Sequence, residues 1–453
     1  MNDMRPDRCK TPPASAPTAP TPCVGNDTTR AVGILVCVSV FLLMAIIGLL
    51  WFARPTESEA EKRELTEFPT LTWESFMSGE WTNDVGVWYA DTYPLREGMI
   101  KAYHAIQSLY GIRGEQVVAG SGDDVPDGGM DLDDIPTVTP PTTGGEGGQT
   151  VGGYYLVGDT AYELYYFNEN NAKVYASLIN RAAAKLKGQA RVYDLVIPLH
   201  YTFALGTEVQ DELKVADGQR VMNYIYSGLS DDVTAVDVYT ALMAHREEYL
   251  FFRTDHHWTA TGAYYAYDAF CRRGGITPTP LTDYRHMTFG GFLGTMYSKS
   301  ESPSAMKNNP DTVDAFIPIG TNTMYIYDEN GERTKYTGGI VREDTDTFYV
   351  SAGSKYNCFT MGDHPLIEIH NEQVAADRRG TSVMLVKESF GNAFAPFLVD
   401  SYEYVYIIDY RYYGGDLTDF VTAKGVEDVI FLNNVVATTE STRLGEMSDL
   451  IGN

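Results

Sequence analysis

Asp255 and His257 stand two residues apart in Thr254-Asp255-His256-His257-Trp258, a spacing that lets a carboxylate orient an imidazole as a proton acceptor. In an extended segment residues i and i+2 share a face, so these two side chains can touch while His256 points away. The pair lacks a nucleophile. Ser389 supplies a candidate, because it follows the apolar run Ser382 to Lys387 and opens a helix-like stretch, where a hydroxyl projects at a strand end. Together they read as Ser389 the nucleophile, His257 the general base and then acid, and Asp255 the orienter. Simpler roles compete: Ser389 capping the helix that follows it, and Asp255 capping a helix from Thr259.

Such residues need a frame to bring them together. Ala172 to Lys187 and Gly218 to Leu229 read as helices, Val192 to Pro198 and Val233 to Val238 as strands, and Ala241 to Glu248 as a short helix. A strand at Tyr249 precedes the motif, and a helix from Thr259 follows it. Weaker β-like runs fill about 288 to 370, and three strands close the chain at Ser382 to Lys387, Tyr404 to Ile408 and Asp428 to Leu432. Apolar runs of this length between helices indicate an α/β fold with a buried parallel sheet and crossovers.

Ligands collect beyond the carboxyl ends of such strands. Gly391 permits a tight turn after Ser389, with nearby backbone N–H groups facing a developing oxyanion. Gly391 and Asn392 join the candidates for substrate or oxyanion contacts. After the next strand, Arg411 can clamp an anion or pair with Asp409 or Glu403. After the last, Asn433 and Asn434 can donate to an oxyanion or cap a turn. Trp258 reads as a packed plug beneath the site, with stacking on a sugar as the alternative.

A metal site competes for the same residues, since Asp255, His256 and His257 could join His200, His286, His364 or His370. Adjacent histidines in a strand diverge, and no HxxxH or HxH spacing supports chelation. The reading therefore needs neither metal nor cofactor. Cys271 and Cys358 could pair in an oxidising compartment, but one bridge is no disulfide framework, so the fold rests on its core.

Residues 31–53 form an apolar run of 23 residues between Arg30 and Arg54. At the helical rise that is roughly 34 Å, enough to cross a bilayer, and it reads as an uncleaved anchor. Arg5, Arg8, Lys10 and Arg30 place the Pro/Thr-rich tail 1–30 in the cytoplasm and the rest outside, at the cell membrane. Beyond the tail, thirty basic residues face fifty-eight acidic ones, which excludes nucleic acid as the main ligand. Residues 54–118 open the outer part, and Pro94 breaks a helix within it. Residues 119–153 read as a flexible acidic Gly/Pro insertion, with Asp131-Leu132-Asp133-Asp134 a solvated cluster, not an EF-hand. The α/β domain follows at 154–453.

Asp255-His256-His257-Trp258, in its setting of Phe252-Arg253-Thr254 and Thr261-Gly262-Ala263-Tyr264, resembles the signature of the bacterial DHHW proteins. Asp91-Thr92-Tyr93-Pro94-Leu95-Arg96 is similar to that family's N-terminal element, and Lys387 to Phe394 to its serine block. The resemblance spans roughly residues 60 to 440. It extends to the periplasmic proteins of alginate O-acetylation and implies an SGNH-hydrolase-like domain with a triad of Asp255, His257 and Ser389. It also implies an exported or surface polysaccharide as acceptor and a multispanning membrane O-acyltransferase as donor partner. The expectation is a membrane-anchored, extracytoplasmic O-acetyltransferase or acetylesterase. A non-catalytic glycan-binding or scaffold subunit is the rival.

Overall fold

The computed structural model describes residues 153–320, 322–336, 338–343 and 352–452, with shorter stretches at 39, 54, 57–58, 63–64, 68–73, 80–94, 123–126, 144–145 and 147–151. The anchor at 31–53, save Ser39, the tail 1–30 and the Asp131–Asp134 cluster lie outside the described residues. Among the described residues no helix is long and apolar enough to cross a membrane.

The chain divides into two compact units. In the first, Met1–Thr56 with Leu65–Arg96, a helix spans Glu80–Asp91 and stops ahead of Pro94, as the sequence requires. The Arg54 guanidinium donates to the Thr92 carbonyl at 3.1 Å and lies over Trp88.

The second unit holds the rest of the chain. In chain order it carries β1 (Gln149–Val151), β2 (Tyr154–Val157), β3 (Thr160–Glu163), α1 (Glu169–Leu186), β4 (Arg191–Ile197), α2 (Gly218–Ser227), β5 (Val233–Ala235), α3 (Val238–Met243) and α4 (Ala260–Gly274). Then come β6 (Arg285–Phe292), α5 (Thr295–Lys299), β7 (Asp311–Ile317), β8 (Asn322–Tyr327), β9 (Arg333–Tyr336) and β10 (Leu366–Asn371). β11 (Ser382–Lys387), α6 (Gly391–Leu398), β12 (Tyr404–Asp409), α7 (Leu417–Lys424), β13 (Asp428–Asn434) and α8 (Ser441–Ile451) follow, beside short helices such as Tyr201–Ala204, Thr207–Leu213 and Ser304–Asn308 and a two-residue strand pair, Glu57–Ser58 with Arg63–Glu64.

The central sheet has eight strands in the order β9-β8-β10-β12-β11-β13-β4-β5. It is mixed. β12, β11, β13, β4 and β5 run parallel, whereas β10, β8 and β9 add antiparallel pairings beyond β12. Every residue of β11 is buried, the pattern of a strand covered on both faces. Buried residues in β10 partly alternate with half-buried ones, which is why this half reads only weakly in sequence. The flanking helices pack in two groups, α1 with α7 and α8, and α4 with α3 and α6.

Local chemistry sets the boundaries. Asp237 accepts from Thr240 N at 3.0 Å and starts α3 at Val238, so the expected strand Val233 to Val238 ends early, at Ala235, and the helix begins ahead of Ala241. Residues 149–151 of the expected flexible insertion form a strand on β2, and the Val125 carbonyl accepts from Arg220. Cys271 and Cys358 are both buried and unpaired, so the core carries no bridge between them.

Candidate active site

The motif lies on a tight loop, not on the extended strand expected from its spacing. An isolated bridge pairs Phe251 with Trp258, and Phe252 N donates to the His257 carbonyl at 3.2 Å, folding the residues between into a turn. Asp311, at the start of β7 and fully buried, pins this loop. Its carboxylate accepts from Tyr249 Oη at 2.6 Å, Arg253 N at 3.1 Å, Arg253 Nε at 3.0 Å, Thr254 N at 2.8 Å and Thr254 Oγ1 at 2.7 Å. Asp255 then bends back on its own chain, and Oδ1 accepts from His257 N at 3.1 Å, the geometry of an Asx turn. The i, i+2 contact therefore holds for a different reason from strand periodicity.

Within that turn His257 Nδ1 lies 2.6 Å from Asp255 Oδ1, and its Nε2 lies 2.8 Å from Ser389 Oγ. Asp255 Oδ2 accepts from Thr295 N at 2.7 Å and Thr295 Oγ1 at 3.0 Å. Gly294 makes that approach possible, because a Cβ there would collide with the Asp255 side chain. Burial opposes ionisation of Asp255, yet the neighbouring His257 and His256 and the hydrogen bonds outweigh it and hold the carboxyl well below its usual range. His256 does not point away: its Nδ1 meets Thr295 Oγ1 at 2.8 Å, and its ring lies 4.0 Å from that of His257. Burial, and then the adjacent His257, push its pKa down.

Ser389 sits where β11 turns into α6, at the carboxyl end of the parallel strands. The neighbouring Glu388 is buried; its Oε2 accepts from Phe390 N at 3.1 Å and lies 3.2 Å from Ser389 Oγ, while Oε1 accepts from Asn434 N at 3.0 Å. Phe390 N–H thus serves Glu388 and is not among the backbone N–H groups near Ser389 that are open to an oxyanion. Burial raises the Glu388 pKa against the pull of Arg411 and these backbone donors. Trp258 is fully buried and donates to the Phe390 carbonyl at 2.9 Å, which fixes it as packing and removes it as a sugar platform. Thr259, not Asp255, caps α4.

The remaining candidates separate. Gly391 packs so closely on Lys387 that a Cβ would collide with that side chain. Asn392 donates to Asp363 Oδ1 at 2.8 Å. Arg411 is no anion clamp, because its guanidinium is held by Asp409 at 2.6 Å and Asp363 at 2.8 Å, both also paired with buried Lys387. Asn433 is no oxyanion donor: it is buried, accepts from Tyr410 Oη at 2.7 Å and reaches Tyr175 Oη at 3.3 Å. Asn434 caps its own turn through Val436 N and Ala437 N.

Nor do the histidines of the metal alternative converge. Among the described residues the one cluster with ligand atoms close together is Asp255, His256 and His257, and both ring nitrogens of His257 are already engaged. His286 pairs with Asp314, His370 stacks on Tyr404, and His200 stacks on Phe251.

The site thus lies on a mixed α/β sheet flanked by helices, with Ser389, His257 and Asp255 hydrogen-bonded in series at the carboxyl edge of its parallel strands. The chain belongs to the DHHW protein family, whose model matches residues 61–140 and 129–408. Among solved structures it is similar to a DHHW family protein from Eubacterium siraeum, at 29% identity over 68% of this chain and 99% of that one, with a TM-score of 0.60. Bacillus cereus PatB1, in a structure with a sulfonyl adduct, shares 17% identity over 64% of this chain and 96% of its own, with a TM-score of 0.51. The O-acetyltransferase domain of Pseudomonas putida AlgJ aligns at 14% identity over 69% of this chain and 99% of that one, with a TM-score of 0.33. No curated protein matches the chain by sequence.

Proposed function

We propose that the protein is an extracytoplasmic O-acetyltransferase or acetylesterase of a surface or exported polysaccharide, anchored in the membrane by residues 31–53. The observation that carries this reading is the series Asp255–His257–Ser389, at 2.6 and 2.8 Å. In it His257 Nε2 takes the Ser389 hydroxyl proton as Oγ attacks an acetyl carbonyl. The leaving alcohol then receives that proton, and Ser389 carries the acetyl group as an ester. A glycan hydroxyl or water, deprotonated by His257, attacks this ester and frees the serine. Asp255 keeps Nδ1–H pointed at itself and stabilises the imidazolium formed in each half.

Base catalysis of this kind contributes about 10² to 10⁴ in rate. The acetyl group and the glycan acceptor rest on the DHHW resemblance to alginate O-acetylation proteins, as does a membrane O-acyltransferase as donor. The capture of PatB1 with a sulfonyl adduct makes sulfonyl reagents natural probes of Ser389 here. Turnover of an acetyl ester by the full chain, compared with Ser389→Ala, tests the reading. Loss of at least about 10³-fold is expected, and equal rates would remove Ser389 from the reaction.

A further inference from the structure

We infer that Tyr356 is a positioning residue that fixes the base and the nucleophile to one another, a role that rests on the acyl-transfer reading above. Its ring lies nearly parallel to the His257 imidazole, with centroids 4.1 Å apart and planes at 13°. Its hydroxyl donates to the main-chain oxygen of Ser389 at 3.1 Å. One side chain thus touches both partners of the proton transfer, the ring of one and the backbone of the other.

The two hydrogen bonds of His257 leave the imidazole free to tilt about the line joining Asp255 to Ser389. A flat ring against its face opposes that tilt. His256 and Phe390 meet the imidazole at steeper angles of 35° and 49°, so neither offers the same support. Tyr356 is itself held edge-on by Phe252, at 6.1 Å and 89°, and by Phe359, at 5.4 Å and 72°. An aromatic face also favours a cation placed over it, which is the state His257 enters on accepting the serine proton. Burial, and then the charges of Glu388 and Asp255, push the Tyr356 hydroxyl well above its usual pKa, so it remains a donor to Ser389.

The test uses the full chain in detergent. Tyr356→Phe keeps the ring and removes the hydroxyl, and Tyr356→Leu removes both; Tyr356→Met replaces the latter if it fails to fold. With an acetyl ester, Tyr356→Phe, which releases the Ser389 backbone, should lose about 10-fold in kcat, and Tyr356→Leu, which also frees the His257 ring, about 10²-fold, with KM within about threefold in both. The downfield NMR resonance of the proton shared by His257 and Asp255 should persist in the phenylalanine variant and broaden or vanish in the leucine variant. Equal losses in the two variants, or an undiminished kcat without the ring, would overturn the assignment. Fluorophosphonate labelling separates the two ways of failing. An unlabelled Ser389 in the parent contradicts the acyl-enzyme itself, while a labelled Ser389 that reacts at the normal rate in Tyr356→Leu contradicts only the role of Tyr356.

Discussion

Both nitrogens of the His257 ring have partners, and among the described residues Ser389 Oγ has no other base within hydrogen-bonding reach except the buried Glu388 carboxyl. Removing His257 should therefore cost most of the chemistry, about 10³-fold or more in kcat, with little further loss in the double variant with Ser389→Ala. His256 hydrogen-bonds Thr295 and lies beside the His257 ring without handling the serine proton, so His256→Ala should keep activity within about tenfold. Steady-state turnover of an acetyl ester by the folded variants distinguishes the two; comparable losses would give His256 a part in the reaction. The sequence displays Asp255, His257 and Ser389 because residue type and local spacing are enough to nominate them. Glu388 stands beside Ser389 in plain view, but its role depends on reaching Asn434 at the end of the neighbouring strand. Thr295, Asp311 and Tyr356 carry no local mark, since each acts on residues far along the chain. Arg411 and Asn433 mislead for the opposite reason: at strand ends, internal pairing and substrate contact draw on the same polar residues.

At the scale of elements, the catalytic loop is held by β7 rather than by the sheet that presents Ser389. Asp311→Ala would leave Thr254 N, Thr254 Oγ1 and Arg253 N without their acceptor in a buried site. A loss of about 3 kcal/mol in stability is expected, together with slower labelling of Ser389 in the protein that remains folded. Urea unfolding and probe kinetics on the same samples check both, and wild-type stability with wild-type labelling would show that β7 does not position the loop. The parallel strands are legible in sequence because strands buried on both faces must be apolar throughout, as in Ser382 to Lys387. The antiparallel strands β8 to β10 carry a mixed pattern, and only their pairing in space defines them. The tight turn at Asp255 and His257 shows how the right contact can be inferred from the wrong local geometry.

Over the whole molecule, Asp194 couples the sheet to pH. It lies in β4, fully buried, with Tyr175 Oη donating to Oδ1 at 2.5 Å and Oδ2 without a partner among the described residues. Burial pushes its pKa up to about 7, against the lowering effect of the Tyr175 hydrogen bond. The folded-state pKa is thus raised above the unfolded one, so the stability from this group is fully present below about pH 4 and is lost as pH rises through about 7. The difference of roughly three units sets an upper range of about 4 kcal/mol. Asp194→Asn should flatten this part of the stability profile, as chemical unfolding across pH 4 to 8 would show; an unchanged slope would mean the carboxyl does not titrate in that window. The proposed reaction requires that Ser389 carry an acetyl group in turnover. Rapid quenching of the full chain with an activated acetyl ester, followed by intact-mass and peptide analysis, tests this most directly. One acetyl group on Ser389 is expected, formed more slowly in His257→Ala and absent from Ser389→Ala; turnover with no acetyl on Ser389, or the same adduct in every variant, would contradict an acyl-enzyme.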